Sequence, residues 1–222
     1  MYGLIAAAVI VAAVAVYIIF IRPSSSAVPE GGSSPTAITV KPTDIVRGSP
    51  NAPIVMLEYA SMTCPHCARW EKEVMPKLVE NYINTGKVRY IFREFPLDGA
   101  ARMASALARC EAGDNFYAFI DLLFLNQNQW IKDFNGDNQI SREDVIQGLT
   151  QMGRVAGMTQ QQVETCANDP KNLAIVDQNL QEAQTLYNVN STPNFVLGDE
   201  VHRGEWAWNE LDAKLKSMLA HH

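Results

Sequence analysis

The run Ile54-Val55-Met56-Leu57-Glu58-Tyr59 is short, almost wholly apolar, and followed within a few residues by Cys64-Pro65-His66-Cys67. Such a run reads as a strand buried on both faces, because a strand with one wet face would alternate with polar residues. Directly after it, Cys67, Trp70, Val74, Leu78 and Tyr82 recur at helical spacing, with Glu71, Lys72, Lys77 and Glu80 on the polar side. Pro76 should kink that helix, since it has no N–H to donate and its ring crowds the preceding turn. Beyond Gly86, residues 88–95 again have strand composition, which completes a strand-helix-strand unit of the parallel-crossover kind. An α/β fold follows, with two cysteines placed where the first strand hands the chain to a helix.

That placement decides among the chemistries of a Cys-x-x-Cys pair. Haem attachment needs His immediately after the second cysteine, where this chain has Ala68. A structural zinc site wants four ligands, and no second Cys/His pair stands at a suitable spacing. A redox pair fits the context. Cys64 falls at a helix N-terminus, where unpaired backbone N–H groups favour a thiolate, so it is expected to be the exposed nucleophile. Pro65 and His66 fill the intervening positions, and His66 either adds a donor or positive charge beside the Cys64 sulfur or is a solvated spacer. Stabilising the thiolate makes the disulfide easier to reduce and hence more oxidising. Cys67, one turn further in, should be the shielded resolving thiol. Glu58 is the one charge in the buried strand, six positions before Cys64. Burial would raise its pKa and suit it to exchange a proton with Cys67, unless it reaches solvent from a strand edge.

The rest of the chain reads as helices over residues 100–110, 115–130, 143–155, 160–167 and 171–187, punctuated by Gly113, Gly136, Gly157 and Pro170. Residues 194–197 and 200–203 then flank Gly198-Asp199, a hairpin signal, and an amphipathic helix over 206–219 closes the chain. The layout is a mixed sheet in two pieces around a helical insertion at about 99–187. Residues 43–222 are expected to form the domain, and residues 23–42, rich in Ser, Gly and Pro, a flexible linker. That linker has no pattern of a dimerisation module, so a monomer is expected.

Residues 3–21 contain only Gly, Ala, Val, Leu, Ile, Tyr and Phe. About 20 apolar residues cross a hydrocarbon core of about 30 Å, so residues 1–22 read as a transmembrane anchor. A cleaved signal segment ending at Ser25-Ser26-Ala27 is the alternative. Arg22 alone favours a cytoplasmic C-terminal side, whereas the cysteines argue for export. With Cys64 and Cys67 spaced as a redox pair, Cys110 and Cys166 remain as a candidate long-range bridge or as two buried free thiols. Stable bridges imply an oxidising compartment such as the periplasm. A net charge of −6 and a pI near 5.2 offer no attraction to nucleic acid.

Residues 133–144 resemble a calcium loop, with candidate oxygens on Asp133, Asn135, Asp137 and Asp144, but Asn138 replaces the usual glycine and Asp144 the usual glutamate. An insertion loop capped by Ser141 is the plainer reading. Phe116, Tyr117, Phe119, Phe124 and Trp130 are core residues or a peptide groove, and His202, His221 and His222 show no ligand spacing.

The run Glu58-Tyr59-Ala60-Ser61-Met62-Thr63-Cys64-Pro65-His66-Cys67, the helical insertion and Ser191-Thr192-Pro193-Asn194-Phe195 together resemble the DsbA family of thiol:disulfide oxidoreductases over roughly residues 44–219. The resemblance implies a thioredoxin fold and a redox-active disulfide as the sole reactive group, with no bound cofactor. It implies that Pro193 is a cis-proline facing the disulfide and that the Thr192 backbone pairs with a substrate strand. It supports Glu58 as the acid near the cysteines. The Cys110 and Cys166 pair resembles a structural second disulfide found in some alpha-proteobacterial members. Thr192 stands where the best-known oxidases carry Val, as it does in related isomerases and reductases.

The leading expectation is an enzyme that passes its disulfide to newly exported, cysteine-containing proteins and is reoxidised by a DsbB-type membrane partner. A periplasmic reductase or isomerase runs the same chemistry in the other direction. An anchored calcium- or peptide-binding module is the noncatalytic alternative.

Overall fold

The computed structural model describes residues 38–221. The expected N-terminal anchor and most of the expected linker lie outside the described residues. Among the described residues no helix is long and apolar enough to cross a membrane.

Among the described residues five strands form one mixed sheet: β1 (Val46–Arg47), β2 (Ile54–Ala60), β3 (Val88–Glu94), β4 (Asn194–Leu197) and β5 (Glu200–Arg203), in the order β1-β3-β2-β4-β5. The apolar run is the central strand β2, paired on both edges and packed on both faces. It runs parallel to β3 from Ile54↔Val88 to Ala60↔Glu94 and antiparallel to β4 from Met56↔Leu197 to Tyr59↔Asn194. Parallel pairing demands a crossover, supplied by the helix that starts in the cysteine motif. The period-two alternation of β2 sorts its side chains. Ile54, Met56 and Ala60 join the larger core with Trp70 and Phe195, whereas Leu57 and Tyr59 join a smaller one with Ala183, Tyr187 and Val189. Glu58 shares its face with the first set, on the side of the cysteines.

The crossover is α1 (Pro65–Glu73), α2 (Met75–Leu78) and a π turn, Val79–Ile83. The break at Val74 has the physical cause expected of Pro76, which cannot donate to the carbonyl of Lys72. The insertion contains α3 (Gly99–Ala108), α4 (Asp114–Leu125), α5 (Gln127–Trp130), α6 (Arg142–Val155), α7 (Gln160–Ala167) and α8 (Pro170–Leu186), and α9 (Trp208–Leu219) closes the domain. The single helix expected over 115–130 is two, because Asn126 leaves the helical region at φ −121°, ψ 24°. The Gly198-Asp199 turn joins β4 and β5, with Gly198 at φ +63°.

The expected linker also ends earlier than residue 42. Ile38 and Val40 pack on the smaller core, and Lys41 Nζ donates to Asn179 Oδ1 at 2.6 Å. The reason is Arg93, a fully buried cation that needs acceptors from every side. It donates to the Thr39 carbonyl at 2.6 Å, to both oxygens of Asp44 at 2.7 and 2.9 Å, and to Glu182. Cys110 and Cys166 are disulfide-bonded, joining the C-terminal end of α3 to α7 with Cα atoms 6.0 Å apart.

Candidate active site

Cys64 is the N-cap of α1, extended at φ −78°, ψ 120°, and Pro65 occupies the first helical position, where its missing N–H costs nothing. The Cys64 sulfur accepts from the Cys67 backbone N–H at 3.4 Å and, as a thiol, donates to the Thr192 carbonyl at 3.4 Å. The Cys67 thiol beside it is the largest influence on Cys64. Together with the backbone N–H groups of Cys67 and His66, it outweighs burial and brings the pKa down to about 5. Cys67 is displaced the other way, well above its ordinary value, by burial, by its hydrogen bond to Cys64 and by the negative charges of Glu58 and Cys64. One cysteine of the pair is therefore a thiolate at neutral pH and the other a thiol. Both are free.

Cys64 is not the exposed nucleophile expected from its place at a helix end, for only 3% of its surface is accessible. The Thr192–Pro193 peptide, which is cis, lies against it, and Gly204 N donates to the Pro193 carbonyl at 2.9 Å, tying that loop to the segment after β5.

His66 also differs from the expected arrangement. Its backbone N–H serves the Cys64 sulfur, but its imidazole Nδ1 lies 2.5 Å from Glu205 Oε1 and 2.6 Å from Arg69 Nη2. The donors to the sulfur are thus backbone and thiol groups, which a sequence does not display.

Glu58 is buried at the middle of β2, opposite Phe92 on one side and Phe195 on the other. Burial lifts its pKa to about 8, although the Tyr90 hydroxyl, donating to Oε2 at 2.5 Å, partly offsets the loss of water.

Gln127, at the start of α5, was invisible to motif reasoning. Its Nε2 donates to the carbonyls of Met62 and Cys64 at 2.8 and 2.9 Å, pinning the redox turn to the helical insertion. Thr63 Oγ1 donates to Asp98, the N-cap of α3, at 2.7 Å and does the same from the other side. Neither Gln127, Arg69 nor Glu205 stands at a recognisable spacing from the cysteines.

The suggested calcium loop does not converge. Asp133 accepts from the backbone N–H groups of Asn135, Gly136 and Asn138 at 3.0, 2.6 and 2.8 Å. Asp144 is the third residue of a capping box with Ser141 and also accepts from Phe134 N. These oxygens are committed to ordering a loop and starting a helix, and among the described residues no three His, Cys, Asp or Glu are arranged to hold a metal ion. Phe116, Tyr117, Phe119, Phe124 and Trp130 are buried in the larger core rather than lining a peptide groove.

The family model described as Thioredoxin matches residues 40–217. A Rickettsia bellii protein bearing the provisional name protein-disulfide oxidoreductase is 29% identical over 192 residues, covering 86% of this chain and 70% of its own length. Across the Rickettsia relatives the chain spans from 50% to 70% of their length. Among solved structures, Wolbachia pipientis alpha-DsbA1 superposes with a TM-score of 0.73 at 27% identity, over 83% of this chain and 94% of that one. Oxidised BdbD from Bacillus subtilis gives 0.67 at 17% identity, over 84% and 97%, a likeness of fold alone.

Proposed function

Since the chain belongs to the thioredoxin family, as one of its DsbA-like members, we propose that it is a thiol:disulfide oxidoreductase that introduces disulfides into exported proteins. The observation that carries this reading is the split pair. Cys64 is held as a thiolate and Cys67 as a thiol, which stabilises the reduced state and makes the Cys64–Cys67 disulfide an electron acceptor.

In the forward direction a substrate thiolate attacks the Cys64 sulfur of the disulfide. The Cys64–Cys67 bond breaks, and Cys67 leaves with the electron pair and takes a proton, for which Glu58, protonated at neutral pH, is the proposed donor. A second substrate thiolate attacks the substrate sulfur of the mixed disulfide and displaces Cys64 as a thiolate. The substrate loses two electrons and two protons, and the enzyme gains the electrons. Reoxidation reverses the proton movement at Glu58. We assign that step to a DsbB-type membrane partner on the periplasmic side, with residues 1–22 as anchor and residues 43–222 as the working domain, acting as a monomer. Thr192, whose backbone faces Cys64 beside Pro193, is the proposed docking point for an extended substrate strand.

The runner-up is a reductase or isomerase, favoured by Thr192 at the position before Pro193. The standard potential separates the two. A value near about −120 mV supports the oxidase, and one near about −270 mV, as in thioredoxin, supports the reductase. Retention of exchange activity by Cys64→Ser would sink both. The binding-module alternative draws no support from the aromatics, which are core, or from the loop carboxylates, which accept from backbone N–H groups.

A further inference from the structure

The segment after β5 is fixed to the redox helix at several points. Trp70 Nε1 donates to the Trp206 carbonyl at 3.0 Å, His202 stacks on Trp206 with ring centroids 4.3 Å apart, and His202 Nε2 lies 3.3 Å from the Glu205 carbonyl oxygen. Together with the Gly204 to Pro193 hydrogen bond, these contacts hold Glu205 over the start of α1. There its carboxylate takes a bidentate bond from Arg69, Nε to Oε2 at 2.8 Å and Nη2 to Oε1 at 2.5 Å, and meets His66 Nδ1 at 2.5 Å through the same Oε1. Glu205, 136 residues along the chain from Arg69, thus sets a carboxylate against both the Arg69 guanidinium and the His66 imidazole of the redox helix.

We propose that Glu205 restrains the oxidising strength of the Cys64–Cys67 disulfide, by gathering His66 and Arg69 into one cluster and cancelling one positive charge beside Cys64.

The inference rests on the functional reading above and deepens it. An uncompensated cation next to Cys64 stabilises its thiolate and so favours reduction of the disulfide. Glu205 subtracts from that field whether His66 is neutral or charged, because removing a fixed negative charge makes the cluster more positive in either case. The Arg69 guanidinium is raised chiefly by Glu205, and the Cys64 charge also acts on it, so the two ends of the cluster feel one another. Arg69 in turn holds Glu205 down to about 2, so the carboxylate is ionised throughout the working range. The charged and titratable groups around Cys64 are His66, Cys67 and Arg69 on α1, Glu58 on β2, Asp98 at the start of α3 and Glu205; Glu73 acts on Arg69 from the next turn. The cis-proline loop and α5 face it with Thr192 and Gln127, which carry no charge.

The test is the equilibrium in which two glutathione thiols reduce the enzyme disulfide to the dithiol and become one glutathione disulfide. It is followed together with the pH midpoint of Cys64 thiolate absorbance. Glu205→Gln, which keeps the hydrogen-bonding shape, should raise the equilibrium constant about three- to tenfold, the weight of one charge near a protein surface, and lower the thiolate midpoint. Arg69→Gln should move both quantities the opposite way, and the double variant should return towards the wild type. Half-molar salt should shrink the single effects, since all three side chains are solvent-accessible. If Glu205→Gln stays within twofold of wild type, the inference is wrong. The same holds if both single variants shift in one direction, as loosening of a structural staple would make them do. If the wild-type pair fails to exchange with glutathione at all, it is the functional reading that falls.

Discussion

The Tyr90 hydroxyl on β3 donates to Glu58 Oε2 on the neighbouring strand β2 at 2.5 Å, inside the sheet and out of reach of water. One phenol does not replace the hydration of a carboxylate, so Glu58 keeps its proton up to about pH 8.

The sign of the resulting pH effect follows from proton counting. The folded pKa, about 8, lies above the ordinary 4.5, so the folded protein binds the extra proton between those values and loses stability as pH rises through them. Glu58→Gln should match wild type near pH 4.5 and become more stable by a few kcal/mol near pH 7.5, as urea titrations at the two pH values will show. The same variant should slow release of Cys67 about a hundredfold in stopped-flow exchange, at the lower end of what a placed proton donor contributes.

Cys64 has the opposite linkage. Its folded pKa of about 5 lies below the ordinary 9, so the reduced protein gains stability as pH rises above about 5 and loses it as pH falls through that value. The oxidised protein has no such group. The stability of the reduced form relative to the oxidised form should therefore grow by about 2 kcal/mol between pH 5 and pH 7, measured by denaturant melts of both. A constant difference would contradict the assigned thiolate.

Arg93 is the centre of a buried network in which Asp44 and Glu182 have it as their common cation. Arg93→Met should cost about 3–5 kcal/mol, because it leaves the buried Asp44 carboxylate without its cation and Glu182 with Lys41 alone. Hydrogen exchange should report faster opening of residues 38–44, which Arg93 holds through the Thr39 carbonyl and Asp44.

The Cys110–Cys166 bridge closes a loop with a sequence separation of 56. Replacing both cysteines by alanine should destabilise the protein by about 4 kcal/mol on the chain-entropy view, while exchange through Cys64 and Cys67 continues at the wild-type rate below the melting range. Loss of exchange without loss of fold would mean the bridge acts on the site.

Where local chemistry governs, the chain was readable from its residues. The apolar run of β2, the helix begun at Pro65, the break near Pro76 and the Gly198 turn each depend on a few consecutive side chains. So does the face on which Glu58 lies, since alternation along a strand is a local rule. The division of residues 114–130 at Asn126 was not readable, because the apolar pattern continues through it and the break is imposed by the way Gln127 turns to meet the Cys64 carbonyl. Docking of residues 38–41 was not readable for a related reason. Their attraction is to Arg93 and Asn179, both far along the chain.

The sequence by itself determined the reacting atoms, two thiols separated by two residues at a strand-to-helix junction, because helix N-termini and buried strands follow from nearest neighbours. Tertiary structure alone decided how those atoms are tuned. It covered Cys64 with the cis Thr192–Pro193 loop, brought the Tyr90 hydroxyl to Glu58, and directed His66 to Glu205 and Arg69 instead of the sulfur. These relationships join residues up to 139 positions apart. Electrostatic effects depend on distance and solvent exclusion in space, and neither is written in the order of the chain.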